Sequence, residues 1–181
     1  MVKEVDDLLR YSNEPIMFVY DTTFNLCKYF VSRLVCKFSF FEQEPTIPLP
    51  FFMQEKKTEA CHDQFFRSIS QLIPLLKNLY KAFFATDHED GFRNAIKTNF
   101  PDSTVLRCWN HLFGNIRDWV KKHNGKNLDS KVYVTDCREL FKSESIEAYK
   151  ALLSVKQGYW DPAFNQYFLT YLHPDLHLIA R

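Results

Sequence analysis

Glycine is scarce in this sequence, at 4 of 181 residues, while 46% of the chain is hydrophobic, which excludes the polar, biased composition of a disordered tail. No C-x-x-C pair occurs. The five cysteines (Cys27, Cys36, Cys61, Cys108, Cys137) are odd in number and scattered, so a disulfide framework is excluded and reduced thiols are expected. Nor is there an excess of either charge. A formal net charge of +1 provides no global field toward nucleic acid, and any DNA contact has to be local or lie elsewhere in a larger protein. No stretch approaches the ~20 apolar residues that cross a bilayer, and the opening MVKEVDDLLR lacks the apolar segment of a signal peptide. The expectation is a soluble, intracellular protein of one domain's length.

Phenylalanine is abundant, at 18 residues, and it recurs in periodic segments throughout, the pattern of a core rather than of a base-stacking platform. The first third reads as an antiparallel meander: Ile16–Tyr20, then Lys28–Phe40, then Leu49–Lys56, whose early prolines suit an edge. Both faces of the second strand carry apolar groups, which predicts cover on both sides. Helical spacing then takes over behind Thr58 as N-cap, with Phe65, Phe66, Ile69, Leu72, Ile73 and Leu76 on one stripe until Pro74 interrupts it. A buried strand is predicted over Leu79–Thr86, a helix carrying Phe92, Ala95, Ile96 and Phe100, and a strand over Thr104–Cys108. A helix carrying Leu112, Phe113, Ile116, Trp119 and Val120 follows, ending near Asn124-Gly125. Beyond Lys126 only helices are predicted, started by a capping-box spacing at Asp136 and Glu139, by the stripe from Ile146 to Leu153, and by Asp161-Pro162.

Asp21 ends an apolar run, IMFVY, where a carboxylate costs several kcal/mol unless it is bound. It is either a turn residue or a ligand. Strands joined through a helix cross over right-handedly, so those ending at Asp87 and Cys108 should be parallel, with their carboxyl ends on one edge. If the first strand is central and parallel to these, Asp21 falls beside Asp87, about 4.8 Å away. Two such carboxylates repel unless a divalent cation neutralises both, which suits Mg²⁺ or Mn²⁺. A pair of these ions, roughly 3.5 to 4 Å apart, serves phosphodiester cleavage. The alternatives stay open: Thr86 or Asp87 as an N-cap, and Cys108-x-x-His111 as half of a zinc site or as packed side chains.

Three stretches carry a resemblance: FVYDTTFNL, PLPFFMQEKKTEACHDQFF and AFFATDHEDGFRNAIKTNFPDSTVLRCWNHLFGNI. Together they resemble the transposase domain of Mutator-like elements, a branch of the RNase H-like DDE transposase and integrase superfamily. The likeness covers about residues 16 to 122 in the order of motifs and extends more loosely beyond. It implies an α/β fold with a mixed five-stranded sheet of order 3-2-1-4-5 flanked by helices. Residues 1–125 would form the RNase H-like core, and residues 126–181 an all-helical insertion segment. It places the first two catalytic, metal-holding acids at Asp21 and Asp87, the C-x-x-H motif at Cys108 and His111, and two Mg²⁺ or Mn²⁺ ions in a complete site. It also implies a third acid, a Glu after the inserted helices. The sequence reaches LHLIAR without one, and Glu139, Glu144 and Glu147 sit at expected helix starts, where dipole complementarity explains them.

The implied activity is metal-dependent DNA strand cleavage and transfer, expected to be absent from this chain for want of the third acid. The alternative is a domesticated, non-catalytic module that associates with DNA or protein. DNA element ends are the implied partner, through regions outside the chain, with a homo-oligomer possible and the nucleus as location if the host is eukaryotic. Arg117, Lys121, Lys122, His123 and Lys126 form a basic cluster that either meets phosphates or complements a helix dipole. Trp109 is either a base-stacking or a core residue.

Overall fold

A computed structural model describes residues 9–10, 15–26, 28–38, 46–123, 128–175 and 178–180. The strands are β1 (Ile16–Leu26), β2 (Tyr29–Phe38), β3 (Thr46–Gln54), β4 (Ala82–Thr86), β5 (Thr104–Cys108) and β6 (Ile179–Ala180). The helices are α1 (Glu59–Leu72), α2 (Asp90–Asn99), α3 (Trp109–Lys122), α4 (Ser130–Phe141), α5 (Ile146–Gln157) and α6 (Pro162–Tyr171), with a 3₁₀ turn over Pro74–Asn78. Two compact units result, one of residues 1–108 with Ala180, the other of Trp109–Ile179 with Arg181. By compactness the division therefore falls after Cys108, and α3 goes with the helices that follow it.

In the first unit the sheet order is β3-β2-β1-β4-β5, the mixed five-stranded arrangement expected, with the two-residue β6 as a sixth strand next to β5. β1 runs antiparallel to β2 and parallel to β4, and β4 runs parallel to β5. Period-two alternation puts Ile16, Phe18 and Tyr20 of β1 on one buried face with Leu34 and Cys36 of β2 and Ala82 and Phe84 of β4. Against that face α1 buries Phe65, Phe66 and Ile69, and α2 buries Phe92, Ala95 and Ile96. Aromatic stacking ties strand to strand and strand to helix end: Phe18 of β1 lies on Phe84 of β4 at 4.9 Å, and Phe84 on Phe100, the C-cap of α2, at 5.2 Å. Thr58 caps α1 as its sequence predicts, accepting from the Cys61 amide, and Pro74 begins the 3₁₀ turn instead of continuing the helix.

Several boundaries depart from expectation. β1 does not stop at Tyr20 but runs to Leu26, because Asp21 to Thr23 remain paired with Arg33 to Val31 of β2. β2 is buried on one face only: Ser32, Leu34 and Cys36 are enclosed, whereas Arg33 and Lys37 are exposed and Val31 and Val35 half-buried. β3 begins earlier than predicted, at Thr46, and holds Pro48 and Pro50 as an edge strand can. β4 begins at Ala82, not Leu79, because Leu79 closes the 3₁₀ turn.

The second unit packs α3 to α6 around Leu112, Phe113, Ile116, Cys137, Leu140, Phe141, Phe164 and Phe168. The capping box expected at Asp136 and Glu139 is overturned. Asp129 caps α4, and Asp136 lies inside that helix, 5% exposed, accepting from Lys156 Nζ (2.7 Å), Tyr159 O–H (2.9 Å) and Trp160 Nε1 (2.7 Å). Glu139 accordingly stands in the last turn of α4, also bonded to Lys156 at 2.7 Å, whereas Glu147 occupies the first turn of α5 as expected. Trp109 packs edge-on against Phe113 at 4.6 Å, the core role. The expected helix stop at Asn124-Gly125, Lys126 of the basic cluster, and Cys27 lie outside the described residues. The cysteines that are described, Cys36, Cys61, Cys108 and Cys137, are free thiols. Among the described residues no helix is long and apolar enough to cross a membrane.

Candidate functional site

The parallel pairing of β1 and β4 sets the geometry. Ile16 is level with Ala82, Met17 with Phe83, Phe18 with Phe84, and Val19 with Ala85. Two residues beyond the last of these pairs stand Asp21 and Asp87. Asp21 is still within β1 there, and Asp87 is the first residue past the end of β4. Asp21 is no turn residue, since it sits within the β1–β2 ladder opposite Arg33.

Each carboxylate engages its own cation. Asp21 Oδ2 lies 3.4 Å from Arg33 Nη2, on a guanidinium that is 60% exposed. Asp87 Oδ2 lies 3.5 Å from Lys57 Nζ, and the same ammonium stands 2.6 Å from Glu89 Oε1. The turn from β4 into α2 holds Asp87 from the other side. His88 adopts φ 69°, its amide donates to Thr86 Oγ1 at 2.9 Å, and the Glu89 amide donates to Asp87 Oδ1 at 3.1 Å. The N-cap of α2 is Glu89, so neither Thr86 nor Asp87 has the capping role that was one alternative for them. Burial pushes the Asp87 carboxyl above its ordinary range. The Glu89 amide works against that shift, the Glu89 charge adds to it, and the Lys57 ammonium opposes it.

Behind the acids lies a polar cluster that periodicity does not reveal. The Tyr20 hydroxyl and His62 Nδ1 are 2.8 Å apart, joining the middle of β1 to α1, and His62 stacks edge-on against Phe92 at 4.2 Å. Burial and, secondarily, the Lys57 charge lower the His62 pKa to about 4, so the imidazole is neutral; burial likewise pushes the Tyr20 phenol up to about 12. Thr22 and Ser32 exchange a 2.8 Å hydroxyl bond across β1 and β2, and Gln54 Nε2 donates to Ser32 Oγ at 3.0 Å. Lys57 and His62 both lie in PLPFFMQEKKTEACHDQFF, a stretch that carried the resemblance without pointing to either residue.

Cys108 ends β5 and His111 stands in the first turn of α3, both half-buried. Among the described residues no group of three or more His, Cys, Asp or Glu is placed to hold a metal ion, which leaves zinc without further ligands there.

The chain matches the MULE transposase domain family over residues 17–115 and the Mutator family of transposases over residues 77–170. It belongs to the Mutator family of transposases. No curated protein matches it. Membership implies DNA as partner and, in general, a divalent cation as cofactor. Tested against that cation, the carboxylates of Asp21 and Asp87 are the hard oxygen donors that Mg²⁺ or Mn²⁺ prefers. Each is paired with a basic side chain, and among the described residues no group of three or more His, Cys, Asp or Glu is placed to hold an ion. The donor chemistry of each acid fits such an ion.

Proposed function

We propose that this Mutator-family transposase domain carries the first two metal-holding acids of a DDE-type DNA strand cleavage and transfer site, Asp21 and Asp87, and that the 181-residue chain does not itself turn over. The observation that supports the reading is the parallel β1–β4 register, which pairs Val19 with Ala85, two positions before each of two acids 66 positions apart in sequence. Ligand chemistry in open α/β sheets gathers at the carboxyl ends of parallel strands. A bound divalent ion would supply charge neutralisation at a phosphodiester and activation of a water or 3′-hydroxyl. The chain's own part is to hold the two carboxylates, with the Glu89 amide fixing Asp87 and the β1–β2 ladder fixing Asp21. Absence of turnover is proposed because two carboxylates hold an ion less firmly than three, and in-line geometry depends on the ions being placed.

The test is metal binding by the purified chain. Manganese at millimolar levels should raise its melting temperature, since a ligand bound only by the native state stabilises it, and Asp21→Asn or Asp87→Asn should abolish that rise. No rise in the parent protein would remove the metal reading. Strand transfer of element-end DNA with Mg²⁺, lost in both variants, would instead remove the proposal that the chain is inactive.

A second reading, a domesticated module without catalysis, draws on one observation: both acids are already satisfied by Arg33 and Lys57. It predicts that manganese leaves the melting temperature unchanged while DNA or a protein partner is still retained.

A further inference from the structure

We infer that Lys57 is a built-in counter-cation for Asp87, one that a divalent ion must displace and that therefore sets the metal concentration at which the site fills. The inference rests on the reading of Asp87 as a metal-holding acid. The two basic partners of the acid pair are held very differently. Arg33 is 60% exposed and reaches Asp21 at 3.4 Å, a surface contact that water and salt readily replace. Lys57 is half-buried, its side chain 23% exposed, with Nζ 2.6 Å from Glu89 Oε1, 3.5 Å from Asp87 Oδ2 and 4.8 Å from the centre of the Phe92 ring. Its neighbour Lys56 is exposed. Three attractive neighbours thus fix the Lys57 ammonium against the carboxylate that a metal would need. An incoming divalent ion meets a like charge at short range unless Lys57 swings away from Asp87 while keeping its contact with Glu89. In this arrangement Lys57 is a positioning residue: it keeps Asp87 neutralised and oriented in the metal-free protein, and it opposes filling by the ion.

Manganese binding, followed by the paramagnetic resonance signal of free Mn²⁺, tests this in the whole chain, with circular dichroism confirming that each variant is folded. Lys57→Met keeps an apolar stem over Phe92 and removes the charge. It should bind Mn²⁺ at least about tenfold more tightly than the parent, corresponding to about 1.4 kcal/mol, while Lys57→Arg should bind like the parent. Asp87→Asn added to Lys57→Met should abolish the gain. Equal or weaker binding by Lys57→Met, with binding still lost in Asp87→Asn, overturns the role of Lys57 alone. Absence of Mn²⁺ binding in the parent and in Lys57→Met overturns that role together with the metal reading.

Discussion

His62 provides a sharp test of the packing behind the acids, because its charge state is set by the fold. The residue is 1% exposed, and its ring is held between Tyr20 and Phe92. Its pKa falls from an ordinary 6.5 to about 4, first through burial and then through the Lys57 charge, with Glu89 pulling the other way. Between these two values the unfolded chain takes up a proton that the folded protein refuses. Stability from this group is therefore complete above pH 6.5 and is lost as pH falls toward 4. The full span is at most about 3 kcal/mol, of which about 2 kcal/mol is lost between pH 7 and pH 5. Urea unfolding of the parent chain and of His62→Gln at the two pH values isolates the group, since other titrations cancel in the comparison. The three tryptophans, Trp109, Trp119 and Trp160, all lie in the helical unit, so circular dichroism should be recorded beside fluorescence to follow the sheet. With a urea slope of about 2 kcal/mol per molar, the parent midpoint should drop by about 1 M more than that of the variant. Equal drops in the two proteins would refute a buried neutral His62.

In the helical unit, Asp136→Ala strips Lys156, Tyr159 and Trp160 of their shared acceptor and should cost roughly 3–5 kcal/mol by urea denaturation, as the loss of one partner of a buried ion pair does. Phe84→Ala opens a void between Phe18 and Phe100 and should cost about 3–5 kcal/mol, seen as a lowered thermal midpoint. Ser32→Ala leaves Thr22 and Gln54 buried without their shared hydroxyl, with an expected loss of roughly 1–3 kcal/mol in the same assay.

What the sequence revealed divides along the range of the interactions involved. Element identity in the first unit is legible because it follows from the apolar runs IMFVY and AFFAT, from the alternation over Lys28–Phe40 and from the helical stripe Phe65–Phe66–Ile69, all local properties. The parallel placement of β4 and β5 followed from crossover handedness, which needs no knowledge of side-chain contacts. The end of β1 was misjudged because pairing with β2 outweighs the weak strand preference of Asp21, and that pairing is nonlocal. Asp136 departs from its expected capping role for a related reason. Its spacing to Glu139 imitates a capping box, and only the arrival of Lys156 and Trp160 from 20 or more residues away makes a buried acid inside a helix affordable.

The same distinction governs the candidate site. A carboxylate after an apolar run announces itself, since its position alone raises the question of what binds it. The groups that answer, Lys57, Arg33 and the Glu89 amide, lie in ordinary charged surroundings such as QEKKTE and SRL, and nothing local separates Lys57 from Lys56. They are told apart only by the register of β1 with β2 and by the turn at His88, which turns the Glu89 amide onto Asp87. A candidate acid after a strand is thus readable from sequence, but its affinity for a cation is not, because that depends on which basic side chain the fold brings beside it. Of the two candidates here, Arg33 remains at the surface and Lys57 is half-buried and held by three neighbours, so the second acid, not the first, should limit metal uptake.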